Sequence, residues 1–131
     1  MKKHLLSVLG YVVATLVSQG SSHFYFFKQH YAQVPFEKPE PIFALGILSM
    51  LIHGGILTYV YAHSKLSTKP ILDSLRLTWF YGLFLVSYIA LAEAAKYPVP
   101  DIASWIGVEL LVGSVQFTLV GIVLKLAHRN S

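Results

Sequence analysis

Residues 88–116 read Tyr88-Ile-Ala-Leu-Ala-Glu93-Ala-Ala-Lys96-Tyr97-Pro98-Val99-Pro100-Asp101-Ile-Ala-Ser-Trp105-Ile-Gly-Val-Glu109-Leu-Leu-Val-Gly113-Ser-Val-Gln116. Two apolar runs meet at a Pro-Val-Pro turn. Proline cannot continue a helix interior, because it lacks the N–H and its ring clashes with the preceding turn. Asp101 then stands where a side-chain oxygen caps the next helix. Each run carries one glutamate within it. Glu93 lies four residues before Tyr97, and Glu109 eight after Asp101. At ~1.5 Å per helical residue, both carboxyls lie roughly 6–12 Å from the turn. An ionisable group at depth in an apolar segment is costly and is by default a functional-site hypothesis.

Outward from this stretch, the composition sets the class. Of 131 residues 55% are hydrophobic and 12% charged, against about 25% charged in a soluble domain. The expectation is one compact integral membrane unit. Cysteine is absent, which excludes disulfides and thiolate metal sites. Basic residues flank apolar segments and nowhere interleave with exposed aromatics, so nucleic-acid binding is not expected.

Apolar segments place four spans, at about residues 5–27, 41–62, 77–96 and 102–127. Each is long enough for ~30 Å of hydrocarbon. A cleaved leader competes for the first: Lys2-Lys3, an apolar run from Leu5 to Val17, then Ser18-Gln19-Gly20. The run resumes through Phe24-Tyr25-Phe26-Phe27, which favours a span. Residues 28–40 read as a polar loop, Pro41 as a first helical position, and residues 71–76 as the interfacial first turns of the helix that Thr68-Lys69-Pro70 opens and that spans from Leu77. The expected fold is all-α, an antiparallel four-transmembrane-helix bundle. Lys2, Lys3, Lys65, Lys69, Arg76, Lys125 and Arg129 fall on one side. Lys28, Lys38 and Lys96 fall on the other, diluted by Glu37, Glu40 and Asp101. Seven basic residues against three place both termini in the cytoplasm, in a cell inner membrane. Tyr25, Tyr31, Tyr59, Tyr61, Tyr97 and Trp105 near span ends read as an aromatic belt.

With the spans placed, three motifs carry a resemblance. They are Ser22-His23-Phe24-Tyr25-Phe26-Phe27-Lys28, Asp73-Ser74-Leu75 leading into Trp79-Phe80-Tyr81-Gly82, and Trp105-Ile106-Gly107-Val108-Glu109 followed by Val115-Gln116-Phe117. The chain resembles small bacterial four-helix integral membrane proteins of unknown function. The resemblance implies a fold and no activity.

Polar residues inside the spans supply the candidate site. Glu109, Gly113 and Gln116 fall at i, i+4, i+7, one helical face. Gly107, Ser114, Thr118 and Gly121 form a second stripe. Gln19, Ser22 and His23 stack at the outer end of the first span. Gly46, Ser49 and His53 share a face of the second. Ser7, Gly10, Ala14 and Ser18 are small residues at a spacing that permits close helix approach. The ligand- or ion-binding candidates are therefore Glu93, Glu109, His53, Gln116, His23 and Gln19. As a proton or cation site, the two glutamates exploit the cost of charge in a dry interior. The competing reading makes them hydrogen-bonded helix glue, with the glutamines as interhelical partners. His4, His30, His63 and His128 lie outside the spans and read as solvated or head-group contacts.

Two Glu and two His are candidate ligands for a metal, but bundle di-metal sites use Glu-x-x-His. Lys96 follows Glu93 and Val112 follows Glu109 at that offset, so neither metal nor cofactor is expected. No phosphate loop or nucleophile elbow occurs. The leading function is a small structural or accessory membrane protein without catalysis. A transporter subunit moving protons, cations or a small solute past Glu93 and Glu109 is the alternative. An intramembrane ligand pocket or enzyme is the third. Expected partners are membrane lipids, with a homo-oligomer or larger membrane complex left open.

Overall fold

A computed structural model describes residues 1–35, 38 and 40–129. Among these, every regular element is helical. Helix α1 spans Lys2–Phe26, α3 Phe43–His63, α4 Ile71–Lys96 and α5 Ile102–Ala127. Their lengths of 25, 21, 26 and 26 residues give about 30–40 Å each at the helical rise. All four are long and apolar enough to cross a membrane. A short helix, α2 at Lys28–Ala32, sits between α1 and α3.

The fourth span begins and ends where expected, and Asp101 Oδ1 accepts the Ser104 N–H at 2.5 Å as its cap. Other boundaries differ. The second span opens at Phe43, two residues beyond Pro41. The third helix opens at Ile71, so residues 71–76 are its first turns, as expected. The expected polar loop contains α2, because Tyr31 and Val34 pack into a cluster with Ala94 and Trp105. Glu37, counted in the outer-loop charge, lies outside the described residues.

Packing centres on α5, which lies along α1 on one side and α4 on the other; α3 packs on α1 and meets α4 only sparingly. On α1 and α5, Ser7 pairs with His128, Gln19 with Gln116, and the α2 residue Tyr31 with Glu109. The small-residue face of α1 is real: Ser7, Ala14 and Ser18 are buried, and Gly10 faces Val123. Between α4 and α5 two glycine sockets interlock. A Cβ at Gly82 would stand 2.5 Å from the Phe117 ring, and one at Gly113 2.5 Å from Val86 Cγ2. Small residues let backbones approach closely where dispersion drives helix association.

The polarity of the fold is inverted relative to a water-soluble protein. Leu5, Leu9, Val13, Phe80, Phe84 and Leu111 point outward and are exposed. Ser7, Ser18, Thr78, Glu109 and Gln116 are buried. Of the expected aromatic belt, Tyr25, Tyr59 and Tyr97 are exposed. Tyr31, Tyr61 and Trp105 are instead buried, because each finds an interior partner.

Two segments of α1, Leu16–Gly20 and Ser22–Phe26, wind as π-helix with i→i+5 bonds, as does Tyr88–Glu93 of α4. In α1 a cause is visible. Ser18 Oγ donates to the Ala14 carbonyl at 2.7 Å, and Ser21 Oγ donates to that of Val17. Hydroxyls that bond the i−4 carbonyl compete with the helical ladder and loosen it. Single-turn π segments frequently mark functional sites.

Candidate functional site

The loosened end of α1 carries Gln19, Ser22 and His23, and it faces α5. Gln19 Nε2 donates to Gln116 Oε1 at 2.8 Å, and Gln116 Nε2 donates to Thr15 Oγ1 at 2.9 Å. This amide lock closes α1 onto α5. One turn further out, His23 Nδ1 lies 3.0 Å from the Gln19 carbonyl. The His23 ring stacks on Tyr31 with centroids 3.7 Å apart and planes 12° from parallel. The Tyr31 hydroxyl donates to Glu109 Oε1 at 2.7 Å. Both Tyr31 and Glu109 are buried, at 2% and 5% exposure.

Trp105 roofs this end, one turn before Glu109. Its Nε1–H donates to the Ile89 carbonyl at 3.2 Å, which ties α5 to the π segment of α4. His30 stacks on Trp105 at 5.9 Å and meets Tyr31 edge-on. Ser22 Oγ and His30 Nε2 are buried without a hydrogen-bond partner among the described residues.

Four of the six candidates thus form one polar chain: Gln19, His23, Glu109 and Gln116. The other two stand apart. Glu93 is half-buried, with Lys96 as its charged neighbour. Val86, Ala90 and Ala94 form the buried face of α4 and leave Glu93 on its flank. His53 is half-buried and meets Tyr81 edge-on at 6.5 Å. The interior face of α3 is Gly54, Leu57, Thr58 and Tyr61, one residue off the expected stripe, and Gly46 and Ser49 are exposed. On α5 only Gly121 of the second stripe is buried. Among the described residues no three His, Asp or Glu side chains gather into a metal-holding group.

Chemically the chain has two parts. Its outer part brings a carboxyl, a phenol and an imidazole into contact, groups that hold or exchange protons. Its inner part is two amides and a hydroxyl, which fix geometry but do not titrate.

A second polar cluster closes the opposite end, where the expectation for His128 is a solvated or head-group contact. His128 is 2% exposed. Ser7 donates its only hydroxyl proton to the Lys3 carbonyl at 2.9 Å. The 3.0 Å contact therefore runs from His128 Nε2–H to Ser7 Oγ. Tyr61 meets the His128 ring edge-on at 5.1 Å and shares a 2.8 Å hydrogen bond with Ser74. Burial holds His128 below the usual imidazole range, and the charges of Lys3 and His4 lower it further. A base depressed in the folded state takes up protons more readily when unfolded. Its contribution to stability is full above about pH 6.5 and is lost as pH falls towards the folded value. Melting between pH 8 and 5 should show this loss. His128→Gln should flatten it, and an unchanged profile in that variant would show the latch does not titrate.

No protein-family model, curated protein or solved structure matches the chain.

Proposed function

We propose that the chain is a small bacterial inner-membrane protein of structural or accessory type, an antiparallel bundle of four spans with no catalysis of its own. The observation that carries the reading is the inverted polarity: apolar side chains outward on all four long helices and hydroxyls, amides and a carboxyl within. Such a surface is an aggregation liability in water and matches a lipid solvent. The reversed order of the contacts supports the antiparallel arrangement. Residues 7, 19 and 31 of the first half meet 128, 116 and 109. The amide lock supports a structural role, since it satisfies its members with one another across two helices.

The basic-residue asymmetry orients the bundle with both termini cytoplasmic. Reporter fusions after Lys65 and after Arg129 should read cytoplasmic, and one after Lys38 external. A periplasmic signal after Arg129 would reject the orientation. In proteoliposomes the protein should give no proton or cation flux above empty vesicles. A flux abolished by Glu109→Gln would replace the structural reading with the transport one. A specific observation favours a second reading, a ligand-binding role. His23 and Tyr31, at the titratable end of the polar chain, also wall a cavity of about 850 Å³.

A further inference from the structure

The cavity lies between the outer end of α1, the short helix α2 and the start of α3. Lys28, Lys38 and His23 line it together with the apolar side chains of Phe24, Ile42 and Leu45. Phe24, Ile42 and Leu45 are all exposed, so the wall opens outward. Neither lysine forms a salt bridge or hydrogen bond among the described residues, where Arg76–Asp73 is the one salt bridge. Among these lining residues the charge is positive, and Glu40 is exposed without lining the cavity. A cavity that two lysines and three apolar side chains line together, at the end of two apolar helices, is complementary to one class of molecule: a negatively charged head joined to a hydrocarbon tail.

We propose that this cavity binds an anionic phospholipid, with its phosphate between Lys28 and Lys38 and the start of an acyl chain along Phe24, Ile42 and Leu45. The proposal rests on the membrane reading above. Lysine ammoniums at an apolar surface attract anionic head groups by charge, an attraction that acts over about a Debye length and so needs the head group close by. The volume is within the usual range of about 300–1,000 Å³ for ligand sites, enough for a head group and the first part of a chain. Occupancy would also press on the stacked pair, because His23 and Tyr31 both face the cavity and Tyr31 holds Glu109. Lipid composition would in this way reach a buried carboxyl.

The test uses the full chain in phosphatidylcholine nanodiscs with and without phosphatidylglycerol, scored for retained lipid by native mass spectrometry. Phosphatidylglycerol should be retained in preference to phosphatidylcholine. Each lysine near an anionic surface contributes about fivefold, so K28Q/K38Q should weaken the preference about 25-fold. Ile42→Trp, which adds bulk to the apolar wall and keeps both charges, should weaken it as well. K65Q/K69Q, which removes two lysines at the far end of the spans, should leave it intact. Equal loss in K65Q/K69Q, or full retention in Ile42→Trp, would mean diffuse surface attraction and overturn the site. Displacement of the lipid by millimolar inorganic phosphate would also overturn it, by making free phosphate the occupant. A chain that fails to enter bilayers overturns the membrane reading and the site with it. A chain that inserts but shows no lipid preference overturns the site alone.

Discussion

Replacing Gly82 with leucine should lower the unfolding free energy by about 3 kcal/mol, the upper part of the usual range for overpacking. The reason is the identity of the neighbour. A Cβ at residue 82 would meet the Phe117 ring at 2.5 and 2.6 Å and Phe117 Cβ at 3.0 Å. Phe117 is 1% exposed and itself touches Tyr11 and Tyr81, so it has nowhere to retreat. Even alanine should be felt, and leucine must push α4 from α5. Denaturation in mixed micelles would measure the loss. Shortening the opposing ring with Phe117→Ala in the Gly82→Leu background should recover part of it, as coupled neighbours do. Strict additivity of the two changes would show that the socket is not what limits the approach.

Tyr31→Phe should cost about 1–3 kcal/mol, because it strips the hydroxyl from a buried carboxyl and leaves that acceptor less satisfied. The phenyl ring remains, so the stack on His23 and the contact with Trp105 survive and the loss reports the hydrogen bond. Removing both polar partners should be milder than removing one, since a paired donor and acceptor can be replaced together at little net cost. The order expected in denaturation titrations is therefore that Tyr31→Phe is worse than the double variant Tyr31→Phe/Glu109→Leu. If the double variant is the less stable of the two, Glu109 contributes through its other interactions more than through Tyr31.

Much of this arrangement was legible residue by residue. The Pro-Val-Pro break and Asp101 located the start of α5 because cap chemistry is local. Glu109, Gly113 and Gln116 were placed on one face by simple helical phase, and the phase held because α5 is regular throughout. Glu93 stands apart from the polar chain, in a π segment beside a buried alanine face where helical phase is least regular. His53 lies one residue off the buried face of α3, which is apolar all round and whose sequence marks no interior side. Tyr31 was missed for a different reason. It stands among Lys28, Gln29, His30 and Gln33 in a stretch with no apolar period, and Ala94, Trp105 and Glu109, more than 60 residues away, help to bury it. His128 was likewise buried by Ser7 from the far end of the chain. Local pattern finds helices and their caps. It does not find contacts whose two halves are separated by the whole sequence.

The central place of α5 has a consequence for how the molecule is made. The helix that both α1 and α4 require is the last of the four to leave the ribosome. Until it arrives, Gln19 lacks Gln116 and Tyr31 lacks Glu109, and the Gly82 socket has no knob. On the proposed membrane reading, the first three helices then wait in the bilayer with polar faces uncovered, α3 packed on α1 and α4 touching them only sparingly. Assembly is therefore completed by a single late event, the docking of one helix between two that are already inserted. A chain interrupted after Lys96 would carry every feature that directs it to the membrane and none that ends its exposure to the machinery that removes unassembled proteins.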